Sequence, residues 1–341
     1  MKKNALFKTI NGYDIVMEMM AGSHLYGTDT PESDKDYIGV ILPAASEVFG
    51  FNVMKELDVS IVSKLENGKN SKDATDRKFY EFRHFVKLAA ENNPNIIELL
   101  FVNSDSLLVG SYISDLLLSK VNMFVDHNKI YTKYLAYAGS QKHKMLIKPE
   151  NYTEIIRSLD FLYDYIGTNT LSNLSDPNTI KKSKQLLLEL NDKIIGLQIP
   201  INFNSSFISI GDLNLNKSIT VKAAITTLAE RAKKAGSRTD LYVKYGFDTK
   251  FGSHCVRLLL EALSLLKEGK ISFPLEDAPF IREIKCGKYT KEQTVAIIED
   301  LEKQVECVYN NLKVKKSCDK QGVENLVVST LQKYFLCAKN S

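Results

Sequence analysis

A chain of 341 residues, 44% hydrophobic and 25% charged, has enough apolar material for two domains with proper cores. Its net charge of +4, from 45 basic against 41 acidic residues, permits a polyanionic partner without arguing for one. Five separated cysteines (Cys255, Cys286, Cys307, Cys318 and Cys337) with no C-x-x-C pair argue against a disulfide framework or a zinc site. Too few apolar residues follow Met-Lys-Lys-Asn for a signal peptide, and no apolar run reaches the about 18 residues of a membrane span. A cytoplasmic protein with no membrane partner is expected.

In chain order, Tyr13–Met20 reads as a strand or short helix feeding a Gly22-Ser23 turn. His24-Leu-Tyr26 is expected as a short helical turn ended by Gly27, followed by the turn formers Thr28–Ser33. Tyr37–Leu42 continues as a β-rich run up to Pro43. Asp58–Ser63 reads as a further strand and Glu66–Lys72 as a polar loop. Phe79–Ala90 carries Phe82, Phe85, Val86 and Ala89 at helical spacing, and Asn92-Asn-Pro94 stops it. Ile96–Phe101 reads as another short helix. From about residue 104 the pattern is helical, with helices expected over Leu107–Ser119, Lys129–Ala138, Tyr152–Ile166, Thr179–Leu190, Ile219–Ala235, His254–Leu266, Lys291–Leu312 and Val323–Leu336. Ile199–Ile210 is the β-like exception. A small α/β unit therefore opens the chain and a larger helical part follows. Gly139-Ser140 repeats the opening pair without a following Asp-x-Asp, which marks it as a decoy.

The chemistry concentrates in Gly22–Asp36. Asp34 and Asp36 are two apart, so on a strand both carboxylates face one side. They repel unless a cation sits between them, and hard oxygen ligands favour Mg²⁺ or Mn²⁺. Gly22-Ser23 offers a tight turn and a hydroxyl where a phosphate would approach a helix N-terminus. A third carboxylate is wanted for two-ion chemistry. Asp76 is the first choice and Glu81 the second, each equally readable as a cap of the Phe82 helix. On a helix starting near Lys250, residues Lys250, His254, Arg257 and Glu261 form one stripe, with Val256, Leu259, Leu260 and Leu263 opposite. The stripe reads either as cations aimed at a polyphosphate or as a solvated face on which Arg257 pairs with Glu261. Tyr131, Tyr134 and Tyr137 form a helix stripe expected in the core, and Lys313–Lys316 a solvated cluster.

Gly22-Ser23-x10-Asp34-x-Asp36 resembles the signature of the polymerase-beta-like nucleotidyltransferase superfamily. Gly-Ser-His-Leu-Tyr-Gly followed by Ser-Asp-Lys-Asp is similar, more narrowly, to predicted bacterial and phage nucleotidyltransferases that include RNA-repair members. Asp76-x3-Tyr80-x2-Arg83-x-Phe85 with Asn93-Pro-Asn-Ile-Ile-Glu98, Lys244–Arg257, and Ile284-Lys-Cys-Gly287-Lys-Tyr resemble three further blocks. Two departures are His84, where many members carry lysine, and the missing Leu-Pro spacer after Val314.

The resemblance implies a mixed β-sheet core with flanking helices in residues 1–125. A mostly helical domain, 126–341, would complete the nucleotide and acceptor cleft. It implies that Asp34, Asp36 and Asp76 are catalytic and hold Mg²⁺ or Mn²⁺. Gly22, Ser23, Lys250, His254 and Arg257 would bind the NTP, ATP included. The implied reaction moves an NMP to an acceptor hydroxyl, on an RNA end or a protein, and releases pyrophosphate. A catalytically idle nucleotide- or partner-binding module is the competing class. The repulsive carboxylate pair argues against it, because a binding module has no need of the pair.

Overall fold

The computed structural model describes residues 7–31, 33–61, 75–146 and 239–339, and between them 207–210, 213–216, 218–219, 223–224, 226–228 and 230. The chain divides into two compact units, residues 1–142 with 250–341, and residues 143–249.

Among the described residues the first unit holds five strands: β1 (Thr9–Ile10), β2 (Tyr13–Ala21), β3 (Lys35–Ile41), β4 (Glu56–Asp58) and β5 (Thr75–Glu81). Their order is β1-β2-β3-β5-β4; β3 and β5 run parallel and every other pair is antiparallel. This is the mixed sheet with flanking helices that the resemblance implies. β2 lies inside the sheet, which is why its run is so apolar: Ile15, Val16, Met17, Met19 and Ala21 are all buried. Glu18, in the middle of the strand, is buried too, and Arg77 of β5 grips both its oxygens, Nε to Oε1 at 2.6 Å and Nη2 to Oε2 at 2.9 Å. The Asp58–Ser63 strand is displaced: pairing covers Glu56–Asp58 and one further bridge, Ile61 to Thr75.

Helices α1 (Gly22–Tyr26) and α2 (Ala45–Phe49) follow β2 and β3, and α3 (Phe82–Ala90) follows β5 directly. Sequence periodicity extends that helix back to Phe79, but Phe79–Glu81 are strand. Phe79 packs with Ile15 and Ile41 in the sheet core. The Glu81 carboxylate accepts the His84 N–H at 3.0 Å and so starts the helix at Phe82. Phe82, Phe85, Val86 and Ala89 are buried, as their spacing requires. Pro94 opens α4 (Pro94–Ile97), continued by a 3₁₀ turn over Glu98–Phe101.

Next come α5 (Tyr112–Ser119) and α6 (His127–Leu146). α5 begins later than its pattern suggests, because Val109 bridges to Glu18 and Ser111 caps the helix. Gly139-Ser140 lies inside α6, consistent with a decoy. Of the tyrosine stripe on α6, Tyr134 is fully buried, whereas Tyr131 stacks on Tyr309 with centroids 4.1 Å apart and Tyr137 accepts from Asn93.

The second unit contributes the antiparallel pair β6 (Phe207–Ile210) and β7 (Leu213–Asn216), and α7 (Thr239–Tyr245). The expected helices at Tyr152–Ile166 and Thr179–Leu190 lie outside the described residues. So do the Glu66–Lys72 loop, most of Ile199–Ile210 and much of Ile219–Ala235.

The chain then returns to the first unit with α8 (Thr249–Glu268), α9 (Ala278–Lys285), α10 (Lys291–Asn310) and α11 (Lys320–Lys339). α8 is buried nearly all round through Cys255–Leu259 and Ala262–Leu266. From α11, Tyr334 donates to Asp14 of β2 at 2.8 Å. Among the described residues no helix is long and apolar enough to cross a membrane.

Candidate active site

The turn after β2 is shaped by what stands opposite it. Gly22 has φ +60°, and a Cβ at that position would overlap the Asp36 carboxylate. Register explains the approach, since Ala21 pairs with Asp36 across β2 and β3. Gly22→Ala should therefore push Asp36 aside and cost about 1–2 kcal/mol of stability, read as a lowered urea midpoint with activity falling further than stability.

Parallel pairing then sets Asp36 of β3 beside Asp76 of β5 on the same face of the sheet. Asp76 stands at the start of β5 rather than at its end. Ser60 steadies it, donating to Asp76 Oδ1 at 3.2 Å while accepting the Arg77 N–H at 3.0 Å. Asp34 lies exposed just before β3. Burial first, then the charges of Asp76 and Asp34, hold the Asp36 carboxyl above its ordinary range, while Lys250 and His24 oppose them.

Glu81 is five positions beyond Asp76, so it emerges on the opposite face about 17 Å along the strand. It caps α3 and takes the Arg83 Nε–H at 2.8 Å. Of the two candidates for third acid, only Asp76 stands beside Asp36.

The Lys250 stripe does not present three cations together. It runs inward along α8: Lys250 is exposed, His254 half-buried, and Arg257 and Glu261 fully buried. This corrects the expectation for Arg257. Its Nη1 donates to Glu98 Oε2 at 2.8 Å and Glu261 Oε1 at 2.7 Å, and its guanidinium lies 4.1 Å over the Tyr26 ring. Tyr26 itself donates to Glu98 Oε1 at 2.7 Å. The guanidinium is committed to the core and cannot also reach a phosphate. Burial pushes Glu261 up to about 8 despite the pull of Arg257, and burial raises Glu98 as well. Two carboxylates against one guanidinium reach neutrality when they hold one proton.

Sequence reasoning weighed the Arg257–Glu261 pair only as a solvated one and passed over Glu98. The available signal was a lone acid in each of two apolar runs, Ile96-Ile-Glu98-Leu-Leu and Leu258-Leu-Leu-Glu261-Ala-Leu. Lys244 and Asp248 belong to the other unit. His24 Nδ1 lies 3.6 Å from Asp29 Oδ2, and His24 Nε2 is buried with no hydrogen-bond partner among the described residues.

The donor set around Asp36 consists of hard carboxylate oxygens whose mutual repulsion a divalent cation relieves, so the residues fit Mg²⁺ or Mn²⁺. They are neighbours rather than a finished cage. Among the described residues no three His, Cys, Asp or Glu side chains stand at metal-holding spacing.

The mixed sheet carrying a Gly-Ser turn against paired aspartates agrees with a nucleotidyltransferase-like fold, which the following match supports. Residues 3–163 match the family described as "RNA repair pathway DNA polymerase beta family", which supports a polymerase-beta-like family for this part of the chain. The chain is also similar to an "Uncharacterized 38.9 kDa protein in nrdC-mobD intergenic region" of Enterobacteria phage T4. The two are 28% identical over 313 residues, which is 85% of this chain and 88% of the phage protein.

Proposed function

We propose that the chain is a metal-dependent nucleotidyltransferase that moves an NMP from an NTP to an acceptor hydroxyl and releases pyrophosphate. The observation that carries this reading is the register pairing of Asp36 with Asp76, next to Asp34 and in contact range of Gly22. The family match over residues 3–163 supports it.

Asp34, Asp36 and Asp76 would hold Mg²⁺ or Mn²⁺, which supplies acidification of the acceptor hydroxyl and neutralisation of the leaving pyrophosphate. Ser60 steadies Asp76 through its hydrogen bond to Oδ1. Ser23 and the backbone after Gly22 bind the triphosphate, with Lys250 as a point charge beside Asp36. His254 lies one turn further along α8 and belongs to the same wall. Arg257 acts only from behind, through Tyr26, which shares α1 with Ser23.

The family's description as an RNA-repair group favours an RNA 3′ hydroxyl as acceptor over a protein hydroxyl. The test is incubation with each α-phosphate-labelled NTP, ATP first, in Mg²⁺ or Mn²⁺ with total RNA and cell extract. Ribonuclease-sensitive label supports this reading. Label in a protein band shifts the acceptor to protein. No label on any acceptor, with any NTP, would support the idle binding module instead.

A further inference from the structure

The way out of the Gly-Ser turn is gripped from the far end of the sequence. Leu275 N–H donates to Tyr26 O at 3.1 Å, Arg282 Nη2 donates to Gly27 O, and Lys285 Nζ donates to Thr28 O at 3.1 Å. Three successive carbonyls thus take donors from one short strap, and Lys285 reaches on to Ser33 Oγ at 3.2 Å. The strap is seated closely. Gly27 has φ +72°, and a Cβ there would lie 2.8 Å from Pro274 Cβ and 3.5 Å from Ala278 Cβ. The Phe273 ring lies against Tyr26, with centroids 6.2 Å apart.

Ordinary cations in the last turn of a helix serve their own helix's carbonyls or extend into water. Arg282 and Lys285 instead cross to another segment. Lys285 stays there although burial, and then the charge of Lys250, push its amine below the usual lysine range. The loop it holds leads directly into Asp34 and Asp36, while the start of the same turn is Gly22-Ser23. The geometry points to Arg282 and Lys285 as positioning residues of the donor site: by holding Gly27, Thr28 and Ser33 they fix the spacing between the Ser23 turn and the aspartates. They touch backbone and Ser33, not the reacting atoms, and the inference rests on the reading of the donor site given above.

The test combines amide hydrogen exchange with single-turnover kinetics on the full chain. In the double variant Arg282→Ala/Lys285→Ala, exchange of amides 27–36 should rise about tenfold while α10 stays unchanged. NMP transfer should fall about 10²-fold in kcat with little change in KM for NTP, because a misplaced acid costs the transition state more than the ground state. Lys285→Arg, which keeps a donor for Thr28 O and Ser33, should recover most of the rate. Unchanged exchange in 27–36, or a loosened loop with full kcat, overturns the inference. Wild-type protein without any transfer activity sinks the donor-site reading instead, and the exchange measurement then still decides whether the strap holds the loop.

Discussion

Asp36→Asn is expected to lower nucleotidyl transfer by at least about 10²–10³-fold while leaving metal-free protein as stable as wild type, or more so, at pH 7. Asp36 is half-buried beside Asp76 with Asp34 close by, so its charge is resisted by burial and by two like charges. A carboxyl held above its ordinary range in the folded state binds its proton more tightly there than in the unfolded chain. The sign follows: stability from that proton is present in acid and lost as pH rises through the folded value. The amide removes this loss together with the metal ligand. Urea midpoints at pH 7 in a chelator, set beside initial rates in Mg²⁺, check both halves. A variant that keeps wild-type transfer rates would remove Asp36 from the chemistry. The double variant Asp34→Ala/Asp36→Ala should abolish transfer with the fold intact.

The largest stability effect is expected at Arg257. Arg257→Ala leaves Glu98 and Glu261 buried without their shared cation, a loss of about 3–5 kcal/mol measured by denaturant titration. A phosphate-binding arginine would show the opposite pattern, a raised KM in a stable protein. Glu261 gives the network a pH signature. Its folded value is raised from 4.5 to about 8, first by burial, so stability is fully present below about 4.5 and declines as pH rises through about 8. Glu261→Gln, which keeps the shape without the titration, should flatten urea midpoints measured from pH 5 to pH 9. A wild-type curve already flat over that range contradicts the shared proton.

Much of the fold was readable because it depends on local pattern. The apolar run of β2, the helical spacing of Phe82, Phe85, Val86 and Ala89, and the turn formers after Gly27 each declare themselves within a few residues. The boundary at Phe79 was not readable, since an apolar residue at helical spacing serves a strand equally well when the next residues are Tyr-Glu. The Asp34-x-Asp36 pair was visible as a motif, with Asp76 as the first choice for a third acid and Glu81 as the second. Choosing Asp76 over Glu81 needs the β3–β5 register, which no local spacing encodes. Arg257 misled for a related reason: an exposed stripe and a stripe entering the core share one periodicity. α9 passed unnoticed because Ala278–Lys285 is short and follows a Pro-containing turn, although its Arg282 and Lys285 reach back to the opening motif.

The grip on Gly27 spans 255 residues of sequence. During synthesis at about 5–20 residues per second, the Gly-Ser turn leaves the ribosome roughly 13–50 s before the strap that holds it. For most of that interval Tyr26 also waits for Arg257, and Glu98, once made, waits 159 residues for the same guanidinium. The Gly-Ser turn, among the first segments to be made, is therefore among the last to be assembled. A fragment ending at residue 163 would keep Asp34, Asp36 and Asp76 and leave the turn ungripped, however long it was given to fold.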